Sequence, residues 1–236
     1  MEPSNRTARF AGWWYLACAL VAPFAMIYVP AKLFVPTDPA ATIRNVLASE
    51  SLFRWSILAS MISTAAFMLA VLMLYKLLAP VSRALGLAMA GLALVSLPVS
   101  LLDNAVSLAI LNVLHGVKTL AGIDALQRQP LALLLLGLGG PMIAVSELFW
   151  GLWLLPLGAL IIRSGFLPRW LGAVLLINGV AYVGISFAAV VAPAYLAMMN
   201  RLGTIPEMGE LVLILWLLIR GIRVPGAVGG TVAAPA

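Results

Sequence analysis

The sequence predicts an all-α fold: a polytopic transmembrane helical bundle of about six spans, with short surface helices in the outer loops. Three observations carry this. Hydrophobic side chains make up 64% of the 236 residues and charged ones 9%, against about 25% charged in soluble proteins. The apolar runs are long, as from Leu131 to Arg163, where a hydrocarbon core of about 30 Å needs roughly 20 residues as helix and a barrel strand only about 10. The basic residues stand singly at the ends of those runs, as topology signals and surface anchors rather than a nucleic-acid-binding patch, despite a net charge of +6. No polar insertion is long enough to fold alone. The expectation is one domain over residues 1–223, with spans near 11–35, 55–78, 84–113, 131–163, 170–196 and 206–222, followed by a disordered tail, 224–236.

The first span follows Arg6 and Arg9, places Trp13, Trp14 and Tyr15 where an interfacial aromatic belt belongs, and ends at Lys32, whose amine can snorkel outward. It is longer than the apolar region of a cleaved signal peptide, which spans about 7–15 residues, and reads as a retained helix. Cys18, the single cysteine, excludes an internal disulfide and reads as a small packing residue. Between the first two spans, Thr37 or Asp38 can cap a short surface helix with Pro39 in its first turn and Ile43, Val46 and Leu47 on one face. Along the second span, Ser56, Ser60, Ser63 and Thr64 form a stripe suited to close helix packing.

Two polar foci stand out, the one around Glu147 at depth and the one around Asp103 about two turns inside if the hydrophobic boundary falls near Leu111, or interfacial if the helix ends near Leu102. On the third span Ser96, Ser100, Asp103, Asn104 and Ser107 gather on one face near Pro98. On the fourth, broken by Gly139-Gly140-Pro141 and carrying Pro156, Glu147 shares a face with Gly140, Ala144, Gly151 and Gly158, with Trp150 and Trp153 beside it. Small neighbours let another helix lie against the carboxylate. Ionisable groups at such depth face the bundle interior and mark a site or pathway, or else serve as interhelical hydrogen-bonding groups. The segment from Gly116 to Pro130 reads as an amphipathic connector into this span. The fifth span adds Asn178, Tyr182 and Ser186 at four-residue steps, neutral groups within reach of Glu147 or Asp103. Before the sixth, Thr204 and Glu207 fit a capping box, which leaves Glu210, a turn deeper, without an account of that kind.

The turn between the fourth and fifth spans reads Gly158-Ala-Leu-Ile-Ile-Arg-Ser-Gly-Phe-Leu-Pro-Arg-Trp-Leu-Gly172. With Arg9-Phe10-Ala11-Gly12 and the S-E-S-L-F-R run ending at Arg54, it resembles the uncharacterised bacterial multi-pass membrane family catalogued as domain of unknown function 4386. The resemblance covers most of the chain. It implies a six-span bacterial inner-membrane protein and brings no activity, substrate or catalytic residue with it.

With six spans both termini lie on one side. Arg6, Arg9, Lys76, Arg83, Arg163, Arg169, Arg220 and Arg223 fall there, against Lys32, Arg44, Arg54, Lys118, Arg128 and Arg201, so cytoplasmic termini are expected. The chain has no P-loop, dinucleotide fingerprint or nucleophile elbow. With His115 its only histidine, it offers no donor set for zinc or haem, and no cofactor is expected. The expected partners are membrane lipid and a lipophilic or small-molecule ligand, without nucleic acid. The favoured reading is a small-solute or lipophilic-compound transporter, permease-like, with Glu147 and Asp103 as proton-exchanging groups and Asn104, Trp150, Asn178 and Tyr182 binding substrate. The alternatives are an intramembrane acid/base enzyme using the same carboxylates on a lipid or isoprenoid, and a non-catalytic membrane protein that binds a partner.

Overall fold

The structure, a computed structural model, describes residues 3–117 and 122–223, with the backbone alone at 205–207. Lys118 and Leu120 of the connector, the side chain of Glu207 and the tail 224–236 lie outside the described residues. The described residues are mostly helical, without a strand among them, and form six helical stretches long and apolar enough to cross a membrane.

The first span starts at α1 (Asn5–Pro23), where Ser4 caps the Thr7 amide, and passes through a π-helical turn (Phe24–Tyr28) into α2 (Val29–Leu33). The turn follows Pro23, whose ring removes an amide donor and crowds the preceding turn. The surface helix α3 (Pro39–Ala48) is capped by Asp38, which accepts from the Ala41 amide at 2.9 Å. Thr42 Oγ1 accepts from the Val35 amide at 2.8 Å and ties the helix to the end of the first span. Ile43 and Val46 are buried beneath it. The second and third spans are α4 (Glu50–Leu78) and α5 (Arg83–His115); α5 is stopped by Gly116 in the left-handed region at φ 66°. The fourth begins upstream of the long apolar run as α6 (Ala125–Gly137), its capping box formed by Asp124 and Gln127, and continues after a one-residue break at Leu138 as α7 (Gly139–Ser164). That break falls beside the Gly-Gly-Pro sequence, whereas Pro156 lies inside unbroken helix. The fifth is α8 (Arg169–Val191), and the sixth comprises α9 (Leu196–Glu207) and α10 (Gly209–Ile219), interrupted at Met208.

The spans close into a ring in which α1 packs on α4 and α10, α4 on α5, α5 on α7, α7 on α8 and α8 on α10. The closest contact is the α7–α8 seam. A Cβ at Gly151 would stand 2.5 Å from Gly179 O, and one at Gly158 2.7 Å from Gly172 O. The equal spacing of the two pairs lets antiparallel backbones touch twice along one seam. Ser186 Oγ extends it by donating to Ala144 O at 2.7 Å. The ring is fastened where its ends meet: the Ile222 amide donates to Asn5 Oδ1 at 2.7 Å and the Arg223 amide to Phe166 O at 3.0 Å. Asn5→Ala should lower stability by about 1 kcal/mol, read as a lower thermal midpoint in detergent.

Two hydrophobic cores result. The one nearer the termini is built on Trp153, Leu154, Leu157, Leu74, Leu171 and Leu217. The one under α3 and α6 is built on Val29, Val46, Phe53, Ile57, Ile110 and Leu111. The interior between them is not filled.

Candidate functional site

Two adjoining cavities occupy the space between the cores. The first, of about 180 Å³, lies among the π-helical turn, α4, α5, α6 and α7. The second, of about 210 Å³, lies deeper among α1, α4, α5, α7, α8 and α10. Ala25, Met26, Ser60, Ser100 and Trp150 line both, so the cavities form one cleft with Trp150 at its waist.

At the end nearer α3 and α6, α5 supplies the polar groups. Asp103 is half-buried and lines the cavity, and among the described residues no hydrogen bond or ion pair reaches its carboxylate. Asn104 is 5% exposed, and its Nδ2 has no hydrogen-bond partner. A buried amide left in that condition costs about 1–3 kcal/mol relative to a satisfied one, so it marks a place where a ligand acceptor would be favourable. The serines differ. Ser56 Oγ donates to Phe53 O at 2.7 Å and Ser100 Oγ to Ser96 O at 3.3 Å, which satisfies their protons within their own helices and leaves oxygen lone pairs for the cleft.

At the deeper end Glu210 of α10 is held from two sides. Tyr15 of α1 donates its hydroxyl to the carboxylate, and Asn178 Nδ2 of α8 donates to Oε1 at 3.3 Å. Asn178 is fully buried, and its Oδ1 has no partner. Aromatic rings surround this end. Phe67 and Trp153 meet edge to face at 5.3 Å and 88°, Tyr15 stands about 6 Å from each, and Trp150 meets Tyr182 at 6.1 Å. Cys18 borders the same cavity with its Sγ 3.3 Å from Ser63 Oγ.

The structure thus brings Asp103, Asn104 and Trp150 together at one cavity, Trp150 and Tyr182 at the other, and Asn178 behind Glu210. Glu147 is placed differently. It is half-buried on α7 and borders neither cavity, while Ser146 and Trp150, on either side of it along the helix, do. A helix turns about 100° per residue, so the face presenting Ser146, Trp150 and Trp153 carries Glu147 round toward the α8 side.

Sequence reasoning missed Tyr15 and Glu210 as members of the site. Tyr15 reads as part of a belt with Trp13 and Trp14, yet those are 62% and 40% exposed and Tyr15 only 4%. The signal was the buried stripe Ala8, Ala11, Tyr15 at helical spacing. Away from the cleft, His115 Nε2 meets Glu50 at 2.8 Å and ties the end of α5 to the start of α4, while Arg54 Nε meets the same carboxylate at 2.6 Å within α4.

Among known families, the one described as "Domain of unknown function (DUF4386)" has a model that matches residues 10–221. No curated protein and no solved structure matches the chain.

Proposed function

We propose a function on two premises: the chain belongs to the family of the domain of unknown function 4386, and its six-span bundle holds a cleft between two cores. On this reading the protein is a permease-like membrane protein that binds a small lipophilic molecule inside the bundle and passes it across the membrane. The observation that carries it is the continuity of the cleft, which runs past Trp150 from an unpartnered carboxylate and amide to a carboxylate set among aromatic rings. A pocket that is mostly apolar with a few convergent polar groups is the usual form of a small-molecule site. The arrangement favours binding over acid/base catalysis, because Asp103 and Glu210 border different cavities and Glu210 is already engaged by Tyr15 and Asn178.

The test is to fill the waist. Ser100→Trp places a large ring where both cavities meet. Binding of the neutral lipophilic fluorophore phenylnaphthylamine to purified protein should fall at least about tenfold, with its exchange across proteoliposome membranes falling in parallel. Unchanged binding in a variant that keeps its thermal midpoint would remove the cleft from the function.

The cellular setting belongs to the same proposal: a bacterial inner membrane with cytoplasmic termini. It rests on the basic residues beside α1, the α4–α5 turn, the α7–α8 turn and α10. Reporter fusions after Arg223 and within the turn from Arg163 to Arg169 should report cytoplasm, and fusions at Asp38 and Asp124 the opposite side. A split within either pair would break the topology.

A further inference from the structure

We propose that the cleft selects an organic cation, an amine or quaternary ammonium with an apolar body, whose charge sits among the aromatic rings beside Glu210, with the Asp103 carboxyl favouring the same charge from the other end of the cleft. This names the ligand class of the site above and rests on that reading. Three independent features of the lining converge on it.

The first is charge. The chain carries a net charge of +6, yet among the described residues no lysine, arginine or histidine lines either cavity, while Asp103 lines one and Glu210 the other. In a water-poor interior a charge is stabilised chiefly by an opposite charge close by, so a cleft with a carboxyl group at each end and no positive side chain favours a cation over an anion.

The second is the ring system at the deeper end. Tyr15, Phe67, Trp150, Trp153 and Tyr182 all border the cavity that Glu210 enters. Aromatic faces attract cations through their quadrupoles, most strongly where water is excluded, and cages of aromatic rings are a recurring way of holding a quaternary ammonium.

The third is the supply of hydrogen-bonding groups. The cleft's serine hydroxyls at 56, 96 and 100 donate to carbonyls of their own helices, so toward a ligand they act as acceptors. Tyr15 OH and one Asn178 proton are directed at Glu210. Among the described residues Asn104 Nδ2 stands apart as a fully buried side-chain donor without a partner. Ser60, Ser107 and Ser146 also line the cleft and can turn their hydroxyls either way, so the lining accommodates a molecule of positive character and can meet an acceptor on it, such as an ether, ester or hydroxyl oxygen, from Asn104.

The test compares two probes of the same shape. Benzyltrimethylammonium carries a cationic nitrogen where neopentylbenzene has a carbon. In calorimetric titrations of the full chain in detergent, corrected with empty micelles, the cation should bind at least about tenfold more tightly than the neutral isostere. Glu210→Gln and Asp103→Asn should each lower the affinity for the cation and leave that for the neutral probe unchanged. Should Glu210→Gln disturb folding, Asp103→Asn carries the test, since no protein hydrogen bond is lost there among the described residues. If phenylnaphthylamine binds but the two isosteres bind equally, the cation selectivity is wrong while the lipophilic-ligand reading survives. If neither isostere nor the neutral fluorophore binds, both fall.

Discussion

Gly151→Ala should lower the stability of the bundle by about 3 kcal/mol, at the upper end of the usual cost of overpacking. The added Cβ would stand 2.5 Å from Gly179 O and 2.8 Å from Val183 N. Both are backbone atoms, so no side-chain rotation relieves the overlap and α7 must move away from α8. That movement would also open the Gly158–Gly172 contact and strain the bond from Ser186 to Ala144 O. The same substitution at Gly140, on the same helix, is the control. A Cβ there meets nothing within 4 Å, so only the backbone effect remains, and Gly140→Ala should be neutral or stabilise by up to about 1 kcal/mol. Reversible unfolding of the two variants in detergent should move them in opposite directions. Equal effects would mean that the seam is looser than its geometry requires.

The second large effect is expected at Glu210, where alanine and glutamine should part company. Glu210→Ala removes the acceptor for both Tyr15 and Asn178 and leaves two donors without partners in an interior that supplies little water. An unsatisfied buried group costs about 1–3 kcal/mol, moderated in membranes because the less ordered state finds other partners. A loss of about 2 kcal/mol is expected. Glu210→Gln keeps an acceptor oxygen and the side-chain volume, so it should stay within about 0.6 kcal/mol of the parent while losing the ability to ionise. The coupling can be measured directly. Tyr15→Phe with Glu210→Ala should cost less than the sum of the single changes, because both remove one hydrogen bond. Strict additivity would show that Tyr15 and Glu210 act independently.

What could be read from the sequence and what could not divide along physical lines. Helix existence was legible because the signal is local: the lengths of the apolar runs, Asp38 one residue before Pro39, and Gly139-Gly140-Pro141 beside the break between α6 and α7. The orientation of each helix about its own axis was harder to read. A span apolar on every side carries little periodic information, so a polar residue is the main clue to its inward face. On α5 the clue points at the cleft, since Asp103 and Asn104 both border it. On α7 Glu147 was the conspicuous residue, but the neighbouring Ser146 and Trp150 line the cavity. The Tyr15–Glu210 contact joins residues 195 apart in the chain, and nothing local to either one announces the other. Glu210 was visible as an acid the capping pattern did not explain, and Tyr15 was hidden among two tryptophans that face outward.

The π-helical turn in the first span has a further consequence. A turn closed by bonds to the fifth residue holds one residue more than an α-helical turn, so the segments before and after it are out of phase by the rotation of that residue, about 100°. Tyr15 points at Glu210 in one phase, and Val29 and Leu33 enter the other core in the second. The two ends of the span can therefore meet separate cores only while the extra residue is kept. Deleting one residue between Phe24 and Tyr28 would swing the shared wall at Ala25 and Met26 and force either Tyr15 or Val29 out of place. The first span is in effect a two-part key cut to two locks, and its bit angle is set by a single residue.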